Sequence, residues 1–126
     1  MPLVRISLRR GKSPGHIAAL RHGIYQAMRE TFNVPENDRF ILDSQHDDAE
    51  FDYDPSYLGI ARSDDLVIVQ ITCNSGRTVE QKQALYRRIA ENFSNDPGLR
   101  TEDVFINLVE VAKENWSFGN GIAQYA

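Results

Sequence analysis

The sequence contains a single cysteine, Cys73, so no disulfide can form within the chain. One isolated thiol and no export signal fit a cytoplasmic protein. No apolar run approaches the roughly 20 residues that a bilayer-spanning helix needs, so the sequence implies no membrane partner. The N-terminus meets Arg5, Arg9 and Arg10 too early to hold the apolar core of a signal peptide. Positive charge is also scarce. A net charge of −4 and a pI near 5.3 argue against a general nucleic-acid binder, which needs a basic face. His46, Asp47 and Asp48 with Asp43 lack any ordered ligand spacing and read as a solvated acidic loop, not a metal site. Gly119-Asn120-Gly121 lacks a third glycine and follows an aromatic segment instead of a strand, which rules out a dinucleotide fingerprint. What is present is an ordinary globular balance, 41% hydrophobic and 25% charged, over 126 residues. That is one domain's length and enough for a genuine core.

Sliding the sequence against itself shows its organisation. At an offset of 65 residues, identities fall at Val4/Val69, Ile6/Ile71, Gly11/Gly76, Leu20/Leu85, Ile24/Ile89, Asp38/Asp103 and Phe40/Phe105, among others. Each copy reads strand, turn, helix, strand. LVRISL and LVIVQI are β-branched-rich runs of strand length. RGKSPG and NSGRTV supply a glycine and then an N-cap, Ser13 or Thr78. Pro14 suits the first helical position, and Thr78 with Gln81 has capping-box spacing. Ile17, Leu20, Ile24, Ala27, Met28 and Thr31 share one face of the first helix; Leu85, Ile89 and Phe93, helped by Tyr86 and Ala90, share one face of the second. DRFILDS and DVFINLVEV close the units as strands, each parallel to its unit's first strand by the right-handed crossover rule. The expected fold class is therefore α+β, a two-layer sandwich. Two pseudo-symmetric βαβ units form a four-stranded mixed sheet with two helices on one face. One domain spans residues 1–126: unit one over 2–45, an acidic loop over 46–64, unit two over 65–111 and a tail over 112–126. The loop is expected to carry a short hairpin near Phe51–Tyr53 and Gly59–Ala61. The sheet's other face is expected to be bare and apolar, so that burying it requires an oligomer.

Three residues stand out as candidates for chemistry. Pro2 is either a strand-edge residue, which proline tolerates, or a reactive secondary amine once Met1 is removed. An α-amino group titrates near 7.7–8.0 in water, and apolar surroundings lower that value, so it would work near neutral pH as acid or base. Arg77 sits where the third strand turns into the second helix, beside that helix's positive end. It is either a solvated side chain or a fork for a carboxylate. Asp38 opens the second strand of unit one and reads as a turn residue; its repeat mate Asp103 favours a structural role at that place. Cys73 reads as a small buried hydrophobe, His16 and His22 as exposed-face residues, and Trp116 with Phe118 as a core corner or a pocket wall.

Taken together, MPLVRI, the two βαβ copies, GRTVEQKQ and ENWSFGNGIAQY resemble the tautomerase superfamily, and within it the malonate semialdehyde decarboxylase group. The resemblance covers nearly the whole chain. It implies a homotrimer whose sheets line a central barrel, with Pro2 as the catalytic amine, Arg77 holding a substrate carboxylate, and Asp38 positioning water and tuning the proline. It also implies Trp116 and Phe118 as an apolar wall. Some decarboxylases of this group carry two arginines in the turn before the second helix; Ser75 stands at one of those places here and bears on substrate choice. The implied activity is decarboxylation of a small 3-oxo acid such as malonate semialdehyde, with no metal or cofactor. The alternative is keto–enol tautomerisation of a 2-oxo acid with Pro2 as base, with hydratase or dehalogenase side reactions. A trimeric binding protein with a blocked N-terminus is the alternative of another class.

Overall fold

The computed structural model describes residues 2–126. Six principal elements run in the expected order: β1 (Leu3–Arg9), α1 (Pro14–Phe32), β2 (Ile41–His46), β3 (Val67–Asn74), α2 (Val79–Asn95) and β4 (Val104–Val111). The strands form one sheet in the order β2-β1-β3-β4. β1 with β2 and β3 with β4 are parallel, and β1 with β3 is antiparallel, so the sheet is mixed.

The repeat is visible in the backbone itself. Gly11 and Gly76 both adopt left-handed values, φ 118° and 123°, where a side chain would be strained. The caps repeat too. Ser13 Oγ accepts from the His16 N–H at 3.1 Å, and Thr78 Oγ1 accepts from the Gln81 N–H at 3.1 Å. Gln81 Oε1 accepts in return from the Thr78 N–H at 3.0 Å, completing the capping box on α2.

Both helices pack on one sheet face. Val4, Ile6, Val69 and Ile71 from the strands meet Leu20, Ile24, Leu85, Ile89 and Phe93 from the helices, all of them buried. Burial of each such side chain is worth roughly 1.5–3 kcal/mol relative to exposure, which makes this layer the source of the fold's stability. Gly23 lets α1 approach α2 closely: a Cβ there would lie 3.2 Å from both the Asn92 Cβ and the Phe93 ring. Asn92 Nδ2 uses that approach to donate to the Gly23 carbonyl at 2.9 Å.

Several expectations need correction. The segment after β2 holds no strand near Phe51–Tyr53 or Gly59–Ala61, only two 3-10 turns at Asp48–Glu50 and Tyr57–Gly59. Its carbonyls find an arginine instead of a ladder. Arg62 Nη1 donates to those of Asp54, Tyr57 and Ile60 at 3.4, 2.9 and 3.4 Å. Arg9 pins the same segment, lying 6.0 and 5.6 Å from the Phe51 and Tyr53 ring centres and 3.1 Å from Asp64. The open sheet face is not uniformly apolar. Its middle row runs Leu42, Arg5, Gln70, Asn107, with Gln70 Nε2 donating to Asn107 Oδ1 at 3.2 Å. Leu42, Phe105 and Val109 are the exposed apolar groups on it. His16 is half-buried, because its helix position turns it toward Lys12, Asp65 and Asp96; His22 is exposed. Thr31 and Tyr86 lie at the margins of their helices' buried faces, half-buried and exposed respectively.

Candidate functional site

The strand registers bring the beginnings of β1 and β2 to the same sheet end as the last residues of β3 and β4. Val4 faces Ile41, Leu3 faces Thr72, and Asn74 faces Val111. Pro2 lies there, buried, directly ahead of β1. After β4 the tail makes one 3-10 turn at Lys113–Asn115 and returns Trp116 to the same end. The result is a cavity of about 220 Å³ lined by Pro2, Leu3, Phe40, Trp116, Ser117 and Phe118. Larger hollows lie along the helices, one of about 430 Å³ lined by Ala18, Arg21, His22, Arg39 and Ile41, but they lack an aromatic wall.

The wall is held from two sides. The Trp116 and Phe118 rings stack at 5.4 Å between centres, and Tyr125 meets Phe118 edge-on at 4.9 Å. Gln124 closes the tail on itself, Oε1 accepting from the Phe118 N–H at 2.9 Å and Nε2 donating to the Gly119 carbonyl at 3.0 Å. On the inner side, Trp116 Nε1 donates to Asn74 Oδ1 at 2.7 Å.

Arg77 departs from its expected setting beside the start of α2. Its guanidinium turns back to the far end of α1: Nη2 donates to the Phe32 carbonyl at 3.2 Å and Nη1 to the Asn74 carbonyl at 3.2 Å. It also lies 4.7 Å from the centre of the Phe32 ring. A helix C-terminus is negative and an aromatic face attracts cations, so both hold the guanidinium more strongly than the positive start of α2 can. Two of the five guanidinium N–H groups are used this way, which leaves three for a ligand.

Asp38 falls in the turn between α1 and β2, three residues ahead of the strand, not at its first residue. Its N–H donates to the Pro35 carbonyl at 3.2 Å. Burial pushes the Asp38 carboxyl above the usual carboxylate range. Asp103, its repeat mate, is fully buried and accepts from Ser63 through both oxygens at 2.7 Å, the structural role expected of it. Ser75 is exposed, with its N–H and Oγ both directed to the Val111 carbonyl at 3.0 and 3.3 Å. Pro2, Trp116 and Phe118 therefore share the cavity; Arg77 is joined to it through Asn74; Asp38 lies two residues from Phe40 in its rim; Ser75 is tied to β4 outside it. Cys73 is buried, as expected of a small hydrophobe, and burial pushes its thiol up. Two contributors went unnoticed in the sequence, Phe40 and Asn74. The repeat had marked Phe40; Asn74 shares β3 with the polar Gln70 and Thr72, and nothing in the sequence set it apart from them.

Residues 38–119 match the family model described as tautomerase enzyme. The probable tautomerase YusQ of Bacillus subtilis (strain 168) is 48% identical over 124 residues, 98% of this chain and 98% of that protein. The chain belongs to the tautomerase family. That family is one of enzymes, which sets aside an inert binding protein as the general description. Among solved structures of tautomerase-family proteins, malonate semialdehyde decarboxylase superposes with a TM-score of 0.91 at 32% identity, covering 98% of this chain and 95% of that one. A second malonate semialdehyde decarboxylase, inhibited by 3-bromopropiolate, gives a TM-score of 0.91 at 35% identity over 98% and 93%. Among the described residues no cluster of His, Cys, Asp and Glu has a metal-holding arrangement. Among the described residues no helix is long and apolar enough to cross a membrane.

Proposed function

We propose that this tautomerase-family protein decarboxylates a small 3-oxo acid of the malonate semialdehyde type, using Pro2 as its acid or iminium-forming amine. The observation that carries this reading is the placement of Pro2, buried in the wall of an aromatic cavity at the sheet end that Asn74 and Arg77 also reach. Removal of Met1 converts the Pro2 nitrogen to a secondary amine. Its ammonium form donates a hydrogen bond to the 3-carbonyl oxygen while the free N–H groups of Arg77 hold the carboxylate. The bond between the carboxylate carbon and C2 then breaks. Its electron pair moves into a C2–C3 double bond, the carbonyl oxygen takes the proton, and CO2 leaves. C2 of the resulting enol takes a proton from solvent while its hydroxyl proton returns to the neutral amine, which gives the aldehyde and restores the ammonium. An iminium at C3 would accept the same electron pair. The polarised carbonyl is the electron sink, so the route calls on neither metal nor organic cofactor. An ionised Asp38, two residues from Phe40 in the cavity's rim, favours the cationic Pro2 amine by charge pairing. Trp116 and Phe118 keep the pocket apolar; Ser75, bonded to Val111, shapes the turn that carries Arg77.

A second reading has its own support. Burial of Pro2 favours the neutral amine, a general base, and the 48% identical relative is named a probable tautomerase. A neutral Pro2 would shuttle a proton between the enol oxygen and C3 of a 2-oxo acid. We further propose that the molecule acts as one domain over residues 1–126, in the cytoplasm, and as a homotrimer. Leu42, Phe105 and Val109 on the open sheet face supply the apolar area that such an assembly covers.

The deciding experiment is a pH titration of the Pro2 nitrogen by 15N NMR on untagged protein, alongside turnover of malonate semialdehyde. An amine still protonated well above neutrality, with CO2 release lost on the order of 10²–10⁴-fold in Pro2→Ala, supports the decarboxylase. Deprotonation below neutrality, with turnover of 2-oxo acid enols only, transfers the assignment to the tautomerase. An amide-like nitrogen would mean that Met1 is retained, and both readings would fall.

A further inference from the structure

We propose that Asn74 is a positioning residue that fixes the pocket's apolar wall and thereby sets which acids fit; this rests on the carboxylate-binding reading of the site. Asn74 is the last residue of β3 and is half-buried. Its two polar oxygens do different work. The main-chain carbonyl accepts from Arg77 Nη1 at 3.2 Å, and the side-chain Oδ1 accepts from Trp116 Nε1 at 2.7 Å. One residue therefore joins the group that would hold the carboxylate to a ring that lines the cavity.

The tail alone would not place Trp116 this way. Residues 119–126 are all exposed, and the tail's ties through Gln124 and Tyr125 act on Phe118 and Gly119, reaching Trp116 only through its stack on the Phe118 ring. The Asn74 bond is the indole's polar anchor to the sheet. Replacing Asn74 by alanine keeps the carbonyl that Arg77 uses and removes the indole's acceptor. An indole N–H deprived of its partner reorients toward water, because an unpaired, partly buried donor is unfavourable. The cavity of about 220 Å³ then widens. A short acid loses its wall, whereas a ring-bearing acid gains room.

Trp116 is the sole tryptophan, so its indole N–H gives one cross-peak and its fluorescence reports on this ring alone. The test compares the parent chain with Asn74→Ala, Asn74→Asp and Arg77→Ala. The probes are malonate and phenylpyruvate, with Kd values read from Trp116 fluorescence. Asn74→Ala should move the indole cross-peak upfield and shift the malonate-to-phenylpyruvate selectivity about tenfold toward the larger acid. Asn74→Asp, which retains an oxygen acceptor, should restore most of both. Arg77→Ala should weaken both acids alike. An unmoved cross-peak in Asn74→Ala, or a moved one with unchanged selectivity, overturns the proposal. Intact binding with the expected selectivity shift, but no turnover of any oxo acid, would sink the enzymatic reading and leave this one standing.

Discussion

Asp103 and Asp38 occupy equivalent places in the two repeats; Asp103 is a buried structural carboxylate, whereas the proposed function puts Asp38 beside the amine, so their variants should separate cleanly. Asp103 is fully buried; Oδ1 accepts from the Ser63 N–H and Oδ2 from Ser63 Oγ, both at 2.7 Å, with Arg100 at 3.8 Å. A hydrogen bond to a charged group contributes about 1.5–3 kcal/mol, so two give about 3–6 kcal/mol in gross terms. Removing a buried carboxylate also relieves its desolvation, which returns part of that sum, and about 3 kcal/mol of net loss is expected for Asp103→Ala. At about 3 °C per kcal/mol for a chain of this size, the thermal midpoint should fall by roughly 10 °C. Asp103→Asn keeps one acceptor and lets Ser63 Oγ accept instead of donate, so it should cost about half as much. Circular dichroism melts at one fixed protein concentration provide the measurement, since assembly would make the midpoint concentration-dependent. The catalytic rate of Asp103→Asn at 25 °C should match the parent. A midpoint shift under about 2 °C for Asp103→Ala, or an equal loss in the Asn and Ala variants, would refute this assignment of the bonds.

Gly23→Ala should lower stability by about 1 kcal/mol, the crowding against Asn92 and Phe93 outweighing alanine's better helix propensity, with unchanged turnover; denaturant melts check it. His16 should make the fold acid-sensitive. Burial and then Lys12 push its imidazole below the ordinary 6.5, against the opposing pull of Asp65 and Asp96. The unfolded chain then binds the proton first, so the stability contribution is complete above 6.5 and is lost as pH falls through the window beneath it. His16→Gln should flatten the stability profile across that window; a profile that stays as steep would place the acid sensitivity elsewhere. Asp38→Asn should lower kcat several-fold with a near-parental melting point, because the residue lies in a turn and not in the core.

The repeat made most of the fold legible, because a βαβ unit writes its period, its caps and its turn glycine into a short stretch. Gly11 and Gly76, Ser13 and Thr78, and the buried Leu20/Leu85 and Ile24/Ile89 pairs all do in space what their spacing implied. The acidic connection was less legible. Its shape comes from Arg62, which gathers carbonyls close before it in the chain, and from Arg9, which reaches it from the distant β1; no regular period announces either bond. At the site, the position of Pro2 was evident and its burial was not. Burial follows from Trp116 and Phe118 arriving from the other end of the chain. Arg77 was legible only as either a solvated side chain or a carboxylate fork. Its attachment to the last turn of α1 depends on how tightly the two units pack, which is a property of the pair and not of either one.

The two halves match in backbone but cannot match in chemistry. Shifting Pro2 by the repeat offset lands on Val67, buried within β3, where the nitrogen is an ordinary amide in the middle of a chain. A reactive amino terminus exists once per polypeptide however many copies are joined. Fusing two such units end to end therefore halves the number of amine sites per unit and frees the second copy's strand start to become pure core. Any tag placed ahead of Pro2 would remove the proposed amine in the same way.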